Sequence, residues 1–389
     1  MASLFLFQLK FKNKIINDII NLGVIFLKIK KNHAIILILL IIFLGFIYFN
    51  HNNFSKDRTI IRLKGVSTNE PIKDFNIASK SVFLWADPVL YITDKDGNII
   101  KKIQREDENV EAFFAGNYAF LYEKDLGKVH MYSEMGELLS SLEVRGNVFN
   151  ISYENANIVF HIMDENNEIL YLMDNDSTLS EIYKTGNKIL THDVLDSKNL
   201  SVAEMKNDAS GYSSLLYSLD KGEKKSEVIN HEIIMFVKKD KKSVLALTDK
   251  SLYRFLDSGT KYEEKVPNIS DVLVDGRNTY LLHSGIITKY NYTLNPVDKR
   301  IIAANVNKME NVSGSIYVYG PSDIGGEIGN KGEFYTRLGY SLDKIKINGL
   351  LIGALRNGEI DLYSVVSSNT VREGEDKIET TYKEGAKWI

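Results

Sequence analysis

Eight apolar stretches of similar shape recur along this chain at nearly even spacing, and that spacing limits the fold more than any other feature. They begin at residues 82 (VFLW), 118 (YAFL), 158 (IVFH), 200 (LSVA), 243 (SVLA), 279 (TYLL), 315 (SIYV) and 350 (LLIG), with steps of 36, 40, 42, 43, 36, 36 and 35 residues. A period of about 38 residues means one supersecondary unit copied many times. After each stretch come a second apolar run carrying an aromatic, a polar or glycine turn, and a third, more charged run, as in VLYITDKDGNIIKKI (89–103) and KVHMYSEMGELLSSL (128–142). A short run before each stretch, such as NVEAFFA (109–115) or SDVLV (270–274), completes four strands per unit. Four short strands in about 40 residues is the pattern of a propeller blade, whereas helical repeats would space apolar residues three and four apart. The 21 Tyr and 18 Phe favour strands as well.

The expected fold class is all-β, a seven- or eight-bladed β-propeller over residues 58–366. Eight units can be counted from residue 72, and the irregular seventh keeps a count of seven open. The eighth lacks a fourth strand, which RTIIRLKG (58–65) is placed to supply, closing the ring with the chain's beginning and leaving no exposed edge. KIETTYK (377–383) is the alternative. Residues 367–389 mix both charge signs and read as a polar C-terminal tail.

The opposite end of the chain has a different character. The net charge is -3, yet residues 1–33 hold six lysines (Lys10, Lys12, Lys14, Lys28, Lys30, Lys31) against Asp18 alone. They are followed by AIILILLIIFLGFIYF (34–49), which carries no charge. At about 1.5 Å per residue this run spans roughly 24 Å, short of a ~30 Å hydrocarbon core, so flanking residues or a thinned bilayer must contribute. No small-x-small pair follows it, and a long basic segment precedes it, which favours an uncleaved anchor over a cleaved signal peptide. The expected organisation is a cytoplasmic basic leader (1–33), a single transmembrane helix (34–50), a linker (51–57) and a propeller outside the membrane, oriented by the lysines. Residues 4–27 read either as a basic amphipathic helix on the anionic inner leaflet or as a loosely ordered leader. The absence of cysteine excludes disulfides, thiolate metal sites, thiol nucleophiles and a lipid-modified cysteine.

The order of apolar strand, LY or MY strand, Asp/Gly turn and closing strand resembles the quinoprotein-type and WD40-like propeller repeats. With its N-terminal anchor the chain is similar to membrane-anchored propellers of unknown function from Gram-positive bacteria. The resemblance covers residues 58 to about 366. It departs from the tryptophan-docked form, since only Trp85 and Trp388 occur, and that speaks against redox quinoprotein chemistry. A role in outer-membrane barrel assembly, which this repeat type implies for some members, ordinarily goes with a lipidated cysteine that this sequence lacks.

Catalytic motifs do not survive inspection of their spacing. Starting at Asp94, DKDGNIIKKIQR has Gly97 at position 4, Ile99 at position 6 and Arg105 at position 12, where a helix-loop-helix calcium loop needs glycine at 6 and glutamate at 12. Asp-Gly between alternating strands instead predicts a hairpin with a type I′ turn. The S-x-x-K matches at Ser218–Lys221 and Ser341–Lys344 lie in turn-like contexts rather than at a helix start. The seven histidines are never within five residues of one another, so no local metal pair exists, and no cofactor is expected. YGPSDIGGEIGNKGEF (319–334) lacks the phosphate-loop spacings and reads as an inserted turn or, as the longest irregular connection, a binding loop.

One polar pattern recurs in every unit. Five to eleven residues before each apolar stretch stands an acid or its amide: Asp74, Glu111, Asn150, Asp193, Glu232, Asp271, Glu310 and Asp343. If the blades close, these residues form a ring at one mouth of the channel that concentrates cations or a basic segment. The competing expectation is that each carboxylate accepts backbone N–H bonds where its blade begins. The functional expectation is a non-enzymatic protein-binding or scaffolding module of the cell envelope, with an envelope protein as partner and no nucleic acid, since the outer portion is negative. The alternatives are an envelope sensor that binds a small ligand and signals through the leader, and a hydrolase or quinoprotein-type enzyme.

Overall fold

The computed structural model describes residues 39–45, 58–105, 109–208, 211–302, 305–330 and 332–368. The chain divides into two compact units, Met1–Lys56 and Asp57–Ile389. In the first, residues 39–45 are helical and exposed. The rest of the expected span at 34–50, the leader, the linker and the tail from residue 369 lie outside the described residues. No helix among the described residues is long and apolar enough to cross a membrane.

The second unit is a ring of eight four-stranded antiparallel sheets, so the blade count is eight and not seven. Blade 1 shows the plan: inner strand Asp74–Ile77, second strand Val82–Ala86, third strand Val89–Thr93 and outer strand Ile99–Gln104. The central residues of the second strands are mostly apolar because both of their faces are covered. Val82 and Leu84 pack with Phe75, Leu355 and Leu362 in the cluster between blades 8 and 1. Phe83 and Trp85, one residue out of phase, pack with Leu90, Ala119 and Leu121 between blades 1 and 2. Each of the eight blade interfaces holds such a cluster. Outer strands face water on their free side, and IIKKIQ is exposed along almost its whole length.

The ring closes as RTIIRLKG predicts. Strand Arg58–Val66 pairs antiparallel with Glu359–Ser367, from Arg58↔Ser367 to Val66↔Ile360, and forms the outer strand of blade 8. Ile60 is wholly buried there beside Tyr363, Phe334 and Tyr317. The alternative closing segment, 377–383, lies outside the described residues. The up-and-down order makes every inner strand begin at one face of the ring, called the top here, and end at the other, the bottom. Arg58 and Ser367 are at the bottom, with the hairpins that join inner to second strands.

Two local expectations are corrected. Residues 94–98 do turn a hairpin, but only Gly97 has positive φ (82°), and the register shifts at Ile92/Thr93. This is a type I turn with a glycine bulge rather than type I′, because Asp94 Oδ1 accepts from Asp96 N and Asn98 N, at 3.0 and 2.8 Å, and stabilises a five-residue loop. Type I′ geometry occurs where both central residues have positive φ, as at Ser313 and Gly314. The glycine-rich 319–334 segment is mostly not a loop. Asp323–Ile328 is the third strand of blade 7. A Cβ on Gly326 would lie 2.5 Å from both Phe334 and Tyr317, so the missing side chains make room for aromatic rings in the core.

Candidate functional site

Inner strands alternate between two environments. The residues that point into the blade interfaces, such as Phe75 and Ile77 in blade 1, Val237 in blade 5, and Ile345 and Ile347 in blade 8, are buried. The alternate positions are mostly polar and half-buried, and hydrogen-bond register sorts them by depth. At the level nearest the top are Asp74, Glu111, Asn150, Thr191, Phe236, Asp271, Lys308 and Lys344, each paired with the equivalent residue of its second strand. Two residues deeper are Asn76, Phe113, Ser152, Asp193, Lys238, Leu273, Glu310 and Lys346.

The eight predicted acids and amides therefore do not make one ring. Asp74, Glu111, Asn150 and Asp271 share the upper level. Asp193 and Glu310 are one level down, and Glu232 and Asp343 precede their inner strands altogether. Lysines stand among them, and most of these carboxylates are engaged. Asp74 pairs with Lys344 of blade 8. Asp193 Oδ1 lies 2.8 Å from Lys238 Nζ of blade 5, and its Oδ2 accepts from Lys239 N at 2.7 Å. Asp271 accepts from Met309 N of blade 7 at 2.8 Å. Glu111 pairs with Lys124 at 2.6 Å. Glu232 accepts from Thr248 and from Tyr253, and Asp343 from Asn357 N. These contacts tie each blade's inner strand to the next or fasten the blade's own turns. The backbone-capping expectation thus describes Asp74, Asp193, Asp271 and Asp343: Asp74 accepts from Phe75 N of its own strand at 2.6 Å, and Asp193 and Asp271 each cap an N–H of the following blade. Burial pushes the Asp271 and Glu310 carboxyls above their ordinary range, against the opposing pull of Lys308 and Lys346.

Register also exposes something that spacing did not. In blades 3, 4, 5 and 6 the inner strand carries a bulge at the same height, one residue above the upper level, at Phe149, Leu190, Met235 and Ser270. Phe149 and Met235 are each 48 % exposed. Phe149 lines a top-face cavity of about 510 Å³ with Trp85, Glu111, Phe113, Lys73 and Lys124. The mouth thus has two halves: blades 7, 8, 1 and 2 present Lys308, Lys344, Asp74 and Glu111, and blades 3–6 present the bulged residues. Bulges concentrate where a side chain must be re-aimed. An inserted residue leaves the apolar pattern almost unchanged, which is why the sequence did not disclose it.

Histidines meet carboxylates within blades 2 and 3 and, for His192 and Glu154, across the interface of blades 3 and 4. His130 lies 2.8 Å from both Glu123 and Ser141, and His161 lies 3.0 Å from Glu168. His192 lies 3.0 Å from Glu154, and the His161 and His192 ring centres are 6.1 Å apart. Among the described residues no set of three His, Asp or Glu is arranged to hold a metal ion. The S-x-x-K pairs stay apart in role: Ser218 is inside strand Gly211–Asp220, and Lys344 is committed to Asp74 rather than to Ser341.

No protein-family model matches the sequence, and neither does any curated protein. Solved structures do match in shape. BamB from Moraxella catarrhalis aligns over 78% of this chain and 99% of its own with a TM-score of 0.53 at 9% identity. Saccharomyces cerevisiae Sqt1 aligns over 81% and 98%, also at 0.53, with 10% identity. A eukaryotic initiation factor aligns over 85% and 97%, again at 0.53, with 15% identity. Identities this low establish architecture and nothing finer, and what the chain shares with these proteins is the β-propeller fold.

Proposed function

We propose that this protein is a non-enzymatic binding or scaffolding module, anchored by its N-terminal segment at the cell envelope, that grips a protein partner at the top mouth of its propeller. The observation that carries this reading is the run of four bulges on adjacent blades, which holds Phe149 and Met235 half-exposed, Phe149 beside Lys73, Glu111 and Lys124. Exposed aromatic and Met side chains in a concave, polar-rimmed surface are the usual anchors of protein interfaces. Few carboxylates at the mouth are left free for chemistry, because neighbouring blades use them. The anchoring part rests on the uncharged run 34–49 and the lysines before it. The partner best suited to this mouth offers an apolar side chain flanked by charges of both signs.

Site-specific photo-crosslinking tests the reading. A benzophenone side chain placed at Phe149 or Met235 in living cells should give a discrete protein adduct, while one at exposed Val228, on the outer strand of blade 4, should not. Identical adducts from both faces, or none from the mouth, would remove the binding role. Protease added to intact spheroplasts should cleave after residue 58; full protection of the propeller would overturn the envelope location.

A further inference from the structure

A second cavity, of about 570 Å³, opens on the bottom face between blades 5 and 6. Asp240, Lys241 and Lys242 line it from the inner hairpin of blade 5, and Gly276 and Arg277 from that of blade 6. Tyr292, in the turn before the outer strand of blade 6, forms its aromatic wall. The one carboxylate in the lining is already engaged: Asp240 accepts from Lys242 N at 2.7 Å, Ser243 N at 2.8 Å and Ser243 Oγ at 2.7 Å. Among the described residues the side chains of Lys241, Lys242 and Arg277 have no such partner. Asp257 and Asp275 flank these hairpins but do not line the cavity.

Behind the wall sits a further cation. Arg254 is 4 % exposed, and its guanidinium lies 4.4 Å from the centre of the Tyr292 ring. Its contacts to Asp240, Ser243 and Thr279 are long, 3.4, 3.2 and 3.3 Å, and its Nε has no partner. A buried guanidinium satisfied this loosely leaves the cavity positive, in a chain whose residues after 33 carry a net negative charge.

We propose that this cavity binds a phosphate group, with Lys241, Lys242 and Arg277 contacting the oxygens and Tyr292 packing on whatever the phosphate carries. Three cations lining one cavity suit a tetrahedral dianion or a phosphodiester, and the volume admits a phosphorylated polyol or sugar. The cavity opens on the face where Arg58 joins the ring. A lipid headgroup and a soluble phosphate ester therefore offer the same chemistry.

The test uses the full chain in a neutral detergent at 150 mM salt, where isolated surface charges are screened. Inorganic phosphate, glycerol 3-phosphate and dihexanoyl phosphatidylglycerol are titrated by calorimetry into the wild type and into two triple variants. One is Lys241→Gln/Lys242→Gln/Arg277→Gln. The other, Lys95→Gln/Lys198→Gln/Lys221→Gln, removes three exposed lysines elsewhere on the same face. The expected result is saturable one-to-one binding of at least one ester, weakened tenfold or more in the first variant and unchanged in the second. Tighter binding of the phospholipid than of glycerol phosphate assigns the lipid source, and equal affinity the soluble one. Equal weakening in both variants, or no saturable binding by any probe, overturns the site. Circular dichroism and the thermal midpoint of the first variant confirm that any loss is not unfolding.

Discussion

Lys238 of blade 5 reaches back to Asp193 of blade 4, Nζ to Oδ1 2.8 Å, while the other carboxylate oxygen of Asp193 takes the backbone N–H of Lys239. One buried side chain thus holds two inner strands together through both its charge and a hydrogen bond. The two halves of this contact are unequal, because Lys238 keeps a third of its side chain in water while Asp193 is almost fully enclosed.

Asp193→Ala is expected to destabilise the propeller by about 2–4 kcal/mol, since it strands the buried N–H of Lys239 as well as breaking the ion pair. Lys238→Ala should cost under about 1 kcal/mol, because a partly exposed pair is worth little. Thermal unfolding of both variants ranks them, and an equal loss would refute the unequal latch.

The ring should fail if its closing strand is removed. A chain beginning at residue 67 leaves the edge of Glu359–Ser367 unpaired, and an open edge recruits other chains. Size-exclusion chromatography should show aggregates where the intact propeller is monodisperse. The milder Ile60→Ala, at a position with no exposure, is expected to cost about 2–5 kcal/mol.

Gly326→Ala should destabilise by roughly 1–3 kcal/mol, since the new methyl collides with Phe334 and Tyr317 at 2.5 Å. Gly186→Ala, with open space around it, should change stability by less than about 0.5 kcal/mol. Paired denaturation curves distinguish a packing constraint in blade 7 from a general intolerance of alanine.

Acidity should act through two groups of opposite sign. Burial lowers the His161 pKa, against the pull of Glu168, so the unfolded chain binds the proton more readily. That contribution to stability is full above about pH 6.5 and falls as pH drops through the histidine range. His161→Gln should flatten the loss between pH 7 and pH 5. Burial raises the Glu310 carboxyl instead, so its ionised form costs stability once pH exceeds about 4.5. Glu310→Gln should raise the thermal midpoint at pH 7 and lose that advantage near pH 4. A lowered midpoint at pH 7 would mean that the Lys346 interaction outweighs burial.

The period of the apolar stretches, read without any structure, determined the blade, its four strands and the availability of residues 58–65 to close the ring. Those signals are local: a second strand covered on both faces is mostly apolar at its centre, and an outer strand in water need not be. Depth along the channel is a different kind of fact. Glu111 and Asp193 each stand seven residues before their apolar stretches, yet hydrogen-bond register puts Asp193 a level below Glu111, and their carboxylates serve different partners. The bulge at Phe149 and the strand at Gly325–Gly326 were hidden for a related reason. An extra residue in a ladder and a glycine under an aromatic ring are both defined by what lies across from them. The basic cavity between blades 5 and 6 is likewise assembled from hairpins on two blades, and only the packing of blade 5 on blade 6 brings Lys242 and Arg277 to one site.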